Sequence, residues 1–93
     1  MPYVYILECA DGSYYVGSTR NIDVRMEQHE TGRGSRYTSG RLPVRLVYSL
    51  ECETIDRAYG LEKRIQNWSR AKRRALIDGD MPALQAHARK QWR

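Results

Sequence analysis

Five side chains in this sequence have the types and spacing to do chemistry together: Tyr5, Tyr15, Arg25, His29 and Glu62. Phenols and an imidazole can pass protons, a guanidinium is a permanent planar cation suited to anions, and a carboxylate can hold a cation. Each of the first four also has a plain structural role open to it. Tyrosines in strands are ordinary packing residues, Arg25 can be a surface arginine, and His29 near a helix end complements the helix dipole. Glu62 is more informative. In the register Ala58, Leu61, Glu62, Ile65 it lies on or beside an apolar helix stripe, where an unpaired carboxylate costs several kcal/mol. Either an arginine or a hard cation such as Mg²⁺ must compensate it. Lys63 and Arg64 point elsewhere on the helical wheel and are poor partners.

The elements that must position these groups follow from local pattern. Pro2 to Cys9 is rich in β-branched and aromatic residues, Asp11-Gly12 is a hairpin turn signal, and Ser13 to Thr19 resumes the strand. Alternation puts Tyr3, Tyr5 and Leu7 on one face of the first strand and Val4, Ile6 and Glu8 on the other. The second strand separates Tyr15, Gly17 and Thr19 from Tyr14, Val16 and Ser18. Both faces carry bulk, so both are expected to be partly covered. Asn21 can cap a helix over 22–30, with Arg25 and His29 one turn apart on it. Residues 31–43 then form a polar loop with three glycines and three arginines and no apolar periodicity. Val44 to Leu50 reads as a third strand. Thr54 caps a helix running to about Trp68, with Ile55, Ala58, Leu61, Ile65 and Trp68 as its stripe. Ser69 caps a further helix through Ile77, and Pro82 to Lys90 can form a last short one. The hairpin forces antiparallel pairing, so the class is α+β: a small antiparallel sheet flanked by helices.

Length and composition set bounds on function. The chain has 93 residues, 41% of them hydrophobic, seven tyrosines, two tryptophans and no phenylalanine. That is enough for one domain with one core, here read as a core over about 2–78 and a C-terminal helical extension over 79–93. The net charge of +5 is uneven: residues 1–56 carry six basic against eight acidic side chains, whereas 57–93 carry ten against three. A basic surface of this kind suits a polyanion, and nucleic acid is the commonest in a cell; the plain alternative is a solubilising helix face. No apolar run approaches a membrane span, and the N-terminus lacks a signal peptide's basic region. The expectation is a cytoplasmic chain with no membrane partner, a monomer by default, and with Cys9 and Cys52 as free thiols.

The ordered set of motifs resembles the GIY-YIG nuclease superfamily, most of all its small standalone bacterial members. Tyr3-Val4-Tyr5 stands where the first signature triplet would be and Tyr15-Val16-Gly17 where the second would be, with nine residues between them. Arg25-x₃-His29 on a helix and Glu62 after the third strand follow in order. The sequence departs from the pattern at Tyr3, which replaces the first glycine. Asn67, five residues past Glu62, is too near to be the usual later asparagine.

The resemblance implies a metal-dependent phosphodiesterase built on a three-stranded antiparallel sheet flanked by helices. Such hydrolysis needs a base for the attacking water, positive charge for the transition state and help for the leaving oxygen. By this analogy Glu62 holds one Mg²⁺ or Mn²⁺ as sole protein ligand, and Arg25 grips the scissile phosphate. His29 orients a tyrosine hydroxyl or accepts its proton. Tyr5 is the base and Tyr15 its hydrogen-bonding neighbour, with the reverse order open. Gly17 lets the second strand approach the phosphate, or marks a bulge. Arg33, Arg36, Tyr37, Thr38 and Arg41 of the loop, with Arg70, Lys72, Arg73 and Arg74, are candidate nucleic-acid contacts. The expected partner is DNA, single-stranded or branched, because 93 residues leave no room for a sequence-reading domain. The competing readings are a nuclease-like module that binds nucleic acid without cutting it, and a protein-interaction domain with basic helices. The last explains the charge but not the five-residue set.

Overall fold

The structure is a computed structural model that describes residues 1–80 and Pro82. Strands β1 (Tyr3–Glu8) and β2 (Tyr14–Thr19) form the hairpin read from the sequence. Its turn is fixed by Asp11, whose carboxylate accepts from the Ser13 amide at 3.0 Å and the Ser13 hydroxyl at 2.6 Å. Gly12 supplies the left-handed φ of 83° that the turn requires. Strand β3 (Arg45–Glu51) pairs antiparallel with the other edge of β1, giving the order β2-β1-β3. The expected three-stranded antiparallel α+β sheet is therefore present, with a register shift between Ile6 and Leu7 where β3 meets β1.

Strand alternation divides the sheet into two working faces. Val4, Ile6, Tyr14 and Val16 point to one side. There they build the core with Cys52 and with Ala58 and Ile65 of helix α3 (Ile55–Gln66). Helix α4 (Arg70–Asp78) packs Leu76 and Ile77 against the same cluster. Full burial of side chains such as Val4 and Ile6 stabilises the fold by about 1.5–3 kcal/mol each. Tyr5 and Leu7 point the other way and are equally buried, Tyr5 against His29 of helix α1 (Ile22–Glu30). Both faces are covered, as the bulk on each strand predicts.

The caps fall where the sequence places them. The side chains of Asn21, Thr54 and Ser69 accept from the amides of Val24, Arg57 and Lys72 at the starts of α1, α3 and α4. Gly79 closes α4 in the left-handed conformation. One expectation needs correction. Residues 31–43 are not wholly irregular, because Arg36–Ser39 forms a one-turn helix, α2, capped by the Ser35 hydroxyl accepting from the Thr38 amide. The expected helix over 82–90 lies outside the described residues, Pro82 apart. No described helix is long and apolar enough to cross a membrane.

Candidate active site

Tyr5 pairs with Gly17 across the hairpin, and this glycine exists for the tyrosine. A Cβ at position 17 would stand 2.5 Å from the Tyr5 hydroxyl and 2.6 Å from its ring carbon Cζ. The ring thus lies over the glycine, and the phenol is carried to the imidazole of His29, 2.8 Å from Nε2. His29 is itself wholly buried. Its Nδ1 lies 2.9 Å from the Thr38 hydroxyl, which in turn lies 2.9 Å from that of Ser35. Burial, reinforced by the positive charge of Arg25, holds the His29 pKa down at about 4, so the ring is neutral at physiological pH. Burial likewise pushes the Tyr5 phenol up to about 12, against the opposing pull of Arg25.

Tyr15 is the outer tyrosine. It is half-buried, its ring 6.5 Å from Tyr5, 5.3 Å from His29 and 5.9 Å from Tyr37, on which it stacks. The guanidinium of Arg25 is tethered to Gln28 at 2.9 Å and faces the phenols of Tyr5 and Tyr15, which favour its charged form. The helix stop at Thr31 and the turn of α2 bring Tyr37 back over this cluster. There Arg41 covers the Tyr37 ring at 3.9 Å while held by Asp11 at 3.0 Å.

Glu62 reaches β2 from the other side of the sheet. Helix α3 packs on the face that carries Val16, so the carboxylate meets Ser18 rather than Tyr15 or Gly17. Its Oε1 accepts from the Ser18 hydroxyl at 2.6 Å and its Oε2 from the Gln66 amide at 3.0 Å. The Gln66 amide also reaches the Val16 carbonyl at 3.3 Å, which pins the pair to the strand. The Lys63 ammonium stands 3.5 Å from Oε2, so the expectation that Lys63 is a poor partner is wrong. The carboxylate is near enough to Tyr5 to raise its pKa. All five residues therefore converge on the edge strand β2, four from one face and Glu62 from the other.

Hard oxygen donors of this kind suit Mg²⁺ or Mn²⁺. Among the described residues no group of three or more His, Cys, Asp or Glu is placed to hold a metal. An ion at Glu62 would draw on one protein carboxylate and complete its shell with water and phosphate oxygens, a habit of magnesium. The residues present fit that arrangement.

The family model for the GIY-YIG catalytic domain matches residues 1–75. This chain belongs to the GIY-YIG family. It is 43% identical over 75 residues to a UPF0213 protein of Halalkalibacterium halodurans, covering 81% of this chain and 80% of that one. A UPF0213 protein of Halobacterium salinarum is 41% identical over 77 residues, covering 83% and 100%. The solution NMR structure of the UPF0213 protein from Bacillus halodurans aligns with a TM-score of 0.56 at 39% identity, over 92% of this chain and 94% of that one. The homologues are thus small GIY-YIG proteins of the UPF0213 group, and the fold is shared with one of them.

Within this GIY-YIG domain the structure sorts the proposed nucleic-acid contacts. Arg33, Arg36, Arg70 and Arg74 are exposed, and Tyr37 and Arg41 flank Tyr15 at the surface. Arg70 lies over the Tyr14 ring at 4.4 Å, and Arg74 reaches the Tyr14 hydroxyl and Asp78, each at 3.2 Å. Arg73 holds the end of α3 to α4 by donating to the carbonyls of Ile65 and Gln66. Three expectations are corrected. Thr38 is wholly buried behind His29, and Lys72 is buried with its ammonium 4.0 Å over the Trp68 ring. Gly17 is covered by Tyr5. None of the three is placed to touch a nucleic acid.

Sequence reasoning missed Ser18 and Gln66, the partners of Glu62. The signal was available: Gln66 is one helical turn beyond Glu62, and Ser18 ends the core-facing alternation of β2. It also missed Gly34, where a Cβ would run into the His29 ring.

Proposed function

We propose that this GIY-YIG chain is a divalent-metal-dependent endonuclease that hydrolyses DNA phosphodiester bonds and selects substrate by strandedness or structure, with single-stranded DNA the first choice. The observation that carries the reading is the convergence of Tyr5, Tyr15, Arg25, His29 and Glu62 on one strand edge. Arg25 is the phosphate holder: its planar fork is always charged, and the tyrosines beside it leave that charge undiminished. Tyr15, not Tyr5, is assigned as the group that takes the proton of the attacking water. Tyr5 has no exposed surface and its hydroxyl is bonded to His29, whereas Tyr15 reaches solvent. Tyr5 and His29 then form the support behind the reacting groups. Glu62 holds Mg²⁺ or Mn²⁺, steadied by Ser18 and Gln66. When bound, such an ion supplies Lewis-acid charge at the phosphate. Exposed Arg33 and Arg36 extend the positive surface away from the site along the flanking strand, and the cytoplasm is the compartment where chain and substrate meet.

The test is a panel of labelled single-stranded, duplex, flap and RNA oligonucleotides incubated with Mg²⁺ or Mn²⁺. Cleavage of a DNA substrate is expected, and Tyr15→Phe should lower its rate by about 10²–10⁴, the usual contribution of a general base. Salt-sensitive binding without turnover on any substrate, across both metals, would replace this reading with that of a non-cleaving nucleic-acid-binding module.

A further inference from the structure

Thr38 lies in α2, reaches no solvent, and is hydrogen-bonded to neither Arg25 nor Glu62. Its hydroxyl is instead an inner link of a continuous chain, Ser35, Thr38, His29, Tyr5, with separations of 2.9, 2.9 and 2.8 Å. Beyond Tyr5 stands the guanidinium of Arg25. Such a chain can run in either direction, because hydroxyls and a neutral imidazole both donate and accept. Arg25 favours one direction. A guanidinium has donors only, so the Tyr5 oxygen must turn a lone pair to it and point its proton elsewhere. His29 Nε2 is the hydrogen-bond partner that receives it. Nε2 is then the acceptor of a neutral ring, and the ring proton sits on Nδ1, donated to Thr38. Thr38 passes its own proton on to the Ser35 hydroxyl or to the Ser35 carbonyl at 3.4 Å.

We propose that Thr38 is a positioning residue that fixes His29 as the Nδ1–H tautomer, and that through His29 and Tyr5 it orients the phosphate-holding guanidinium of Arg25. The proposal rests on the nuclease reading for its consequence, but the tautomer does not depend on it. His29 is faced by Tyr5 and Tyr15 from the sheet and by Arg25 from its own helix. With Arg25 cationic and the ring neutral, loss of the Thr38 hydroxyl leaves a buried Nδ1–H without an acceptor, which is unfavourable. The ring then gains by moving its proton to Nε2. Tyr5 receives that bond, turns its own proton toward Arg25, and sets two donors against each other. Gly34 supports the same device, since its missing side chain is what lets the loop close on the His29 ring.

The experiment records the ¹⁵N–¹H correlations of the His29 ring by NMR in wild type, Thr38→Val and Thr38→Ser, alongside cleavage kinetics and melting curves of the same proteins. The wild type should show Nδ1 protonated. Thr38→Val should shift the proton to Nε2 and lower kcat/KM on the order of 10-fold or more, the scale of a misplaced catalytic group. Thr38→Ser should restore both the tautomer and the rate. A wild-type ring protonated on Nε2 overturns the proposal. So does Thr38→Val with tautomer and kinetics unaltered. If Thr38→Val fails to fold, the wild-type and Thr38→Ser spectra still decide. If the wild type cleaves nothing, the nuclease reading falls while the tautomer is judged by the spectra alone.

Discussion

Acidification from pH 7 to pH 4 should destabilise this protein through His29 in particular. The unfolded ring titrates at 6.5, whereas in the fold burial and Arg25 hold it down at about 4. A depressed histidine pKa means that the unfolded chain binds more protons throughout that window. The stabilisation is complete above the unfolded value and is lost as the pH falls through 6.5 toward 4, then levels off once the folded ring also protonates. Integrating between the two values gives a loss of about 3 kcal/mol by pH 4. For a domain of this size that corresponds to a fall in Tm of roughly 12–24 °C. Carboxylates titrate in the same range, so the measurement is a difference: urea or thermal melts of wild type and His29→Gln, each from pH 7 to pH 4. His29→Gln should be less stable at pH 7, having lost part of its contact with Tyr5 and Thr38, but its profile should be flatter by that same margin. Parallel profiles, or a native-state His29 pKa near 6.5 by NMR, would refute the burial argument.

The opposite limb belongs to Tyr5, whose folded pKa of about 12 lies above its ordinary 10. Stability from this group is present below pH 10 and is lost as the pH rises toward 12, so Tyr5→Phe should remove about 2–3 kcal/mol of alkaline sensitivity in melts across that range. Gly34→Ala should destabilise by about 1–3 kcal/mol through collision with the His29 ring, read as a lower urea midpoint with unchanged slope. If Arg36 meets a phosphate, Arg36→Ala should reduce the slope of log K against log salt for single-stranded DNA by about 0.7, whereas Lys72→Met, at a buried position, should leave the slope unchanged.

Much of this molecule is legible in its sequence because the determinants are local. Asp11-Gly12 fixes the hairpin, the alternation of Tyr5 and Gly17 against Val4, Val16 and Ser18 fixes which face each serves, and Asn21, Thr54 and Ser69 mark three helix starts. The five candidate site residues stand out because their order and spacing resemble the GIY-YIG pattern. Their supporting groups do not. Thr38 reads as one more polar loop residue until α2 folds it under His29, nine positions earlier in the chain. Ser18 and Glu62 are 44 residues apart; alternation puts Ser18 on the face of β2 that α3 covers, but only the packing of α3 lays one against the other. Lys72 sits in a basic run that looks uniformly solvated, yet the helical period turns it inward onto Trp68. Charge counts report how many cations a segment has, and packing decides which of them face the solvent.

The proposed nuclease activity requires the carboxylate on α3 and the tyrosine-arginine cluster on the opposite face of β2 to act as one metal-assisted cleavage site. Single-turnover cleavage of a labelled single-stranded DNA oligonucleotide, by wild type and Glu62→Ala at equal folded concentration with Mg²⁺ and with EDTA, tests it most directly. Wild-type cleavage that EDTA abolishes is expected, with a Glu62→Ala rate lower by about 10²–10³. Cleavage by Glu62→Ala at the wild-type rate, or wild-type cleavage indifferent to EDTA, would contradict it.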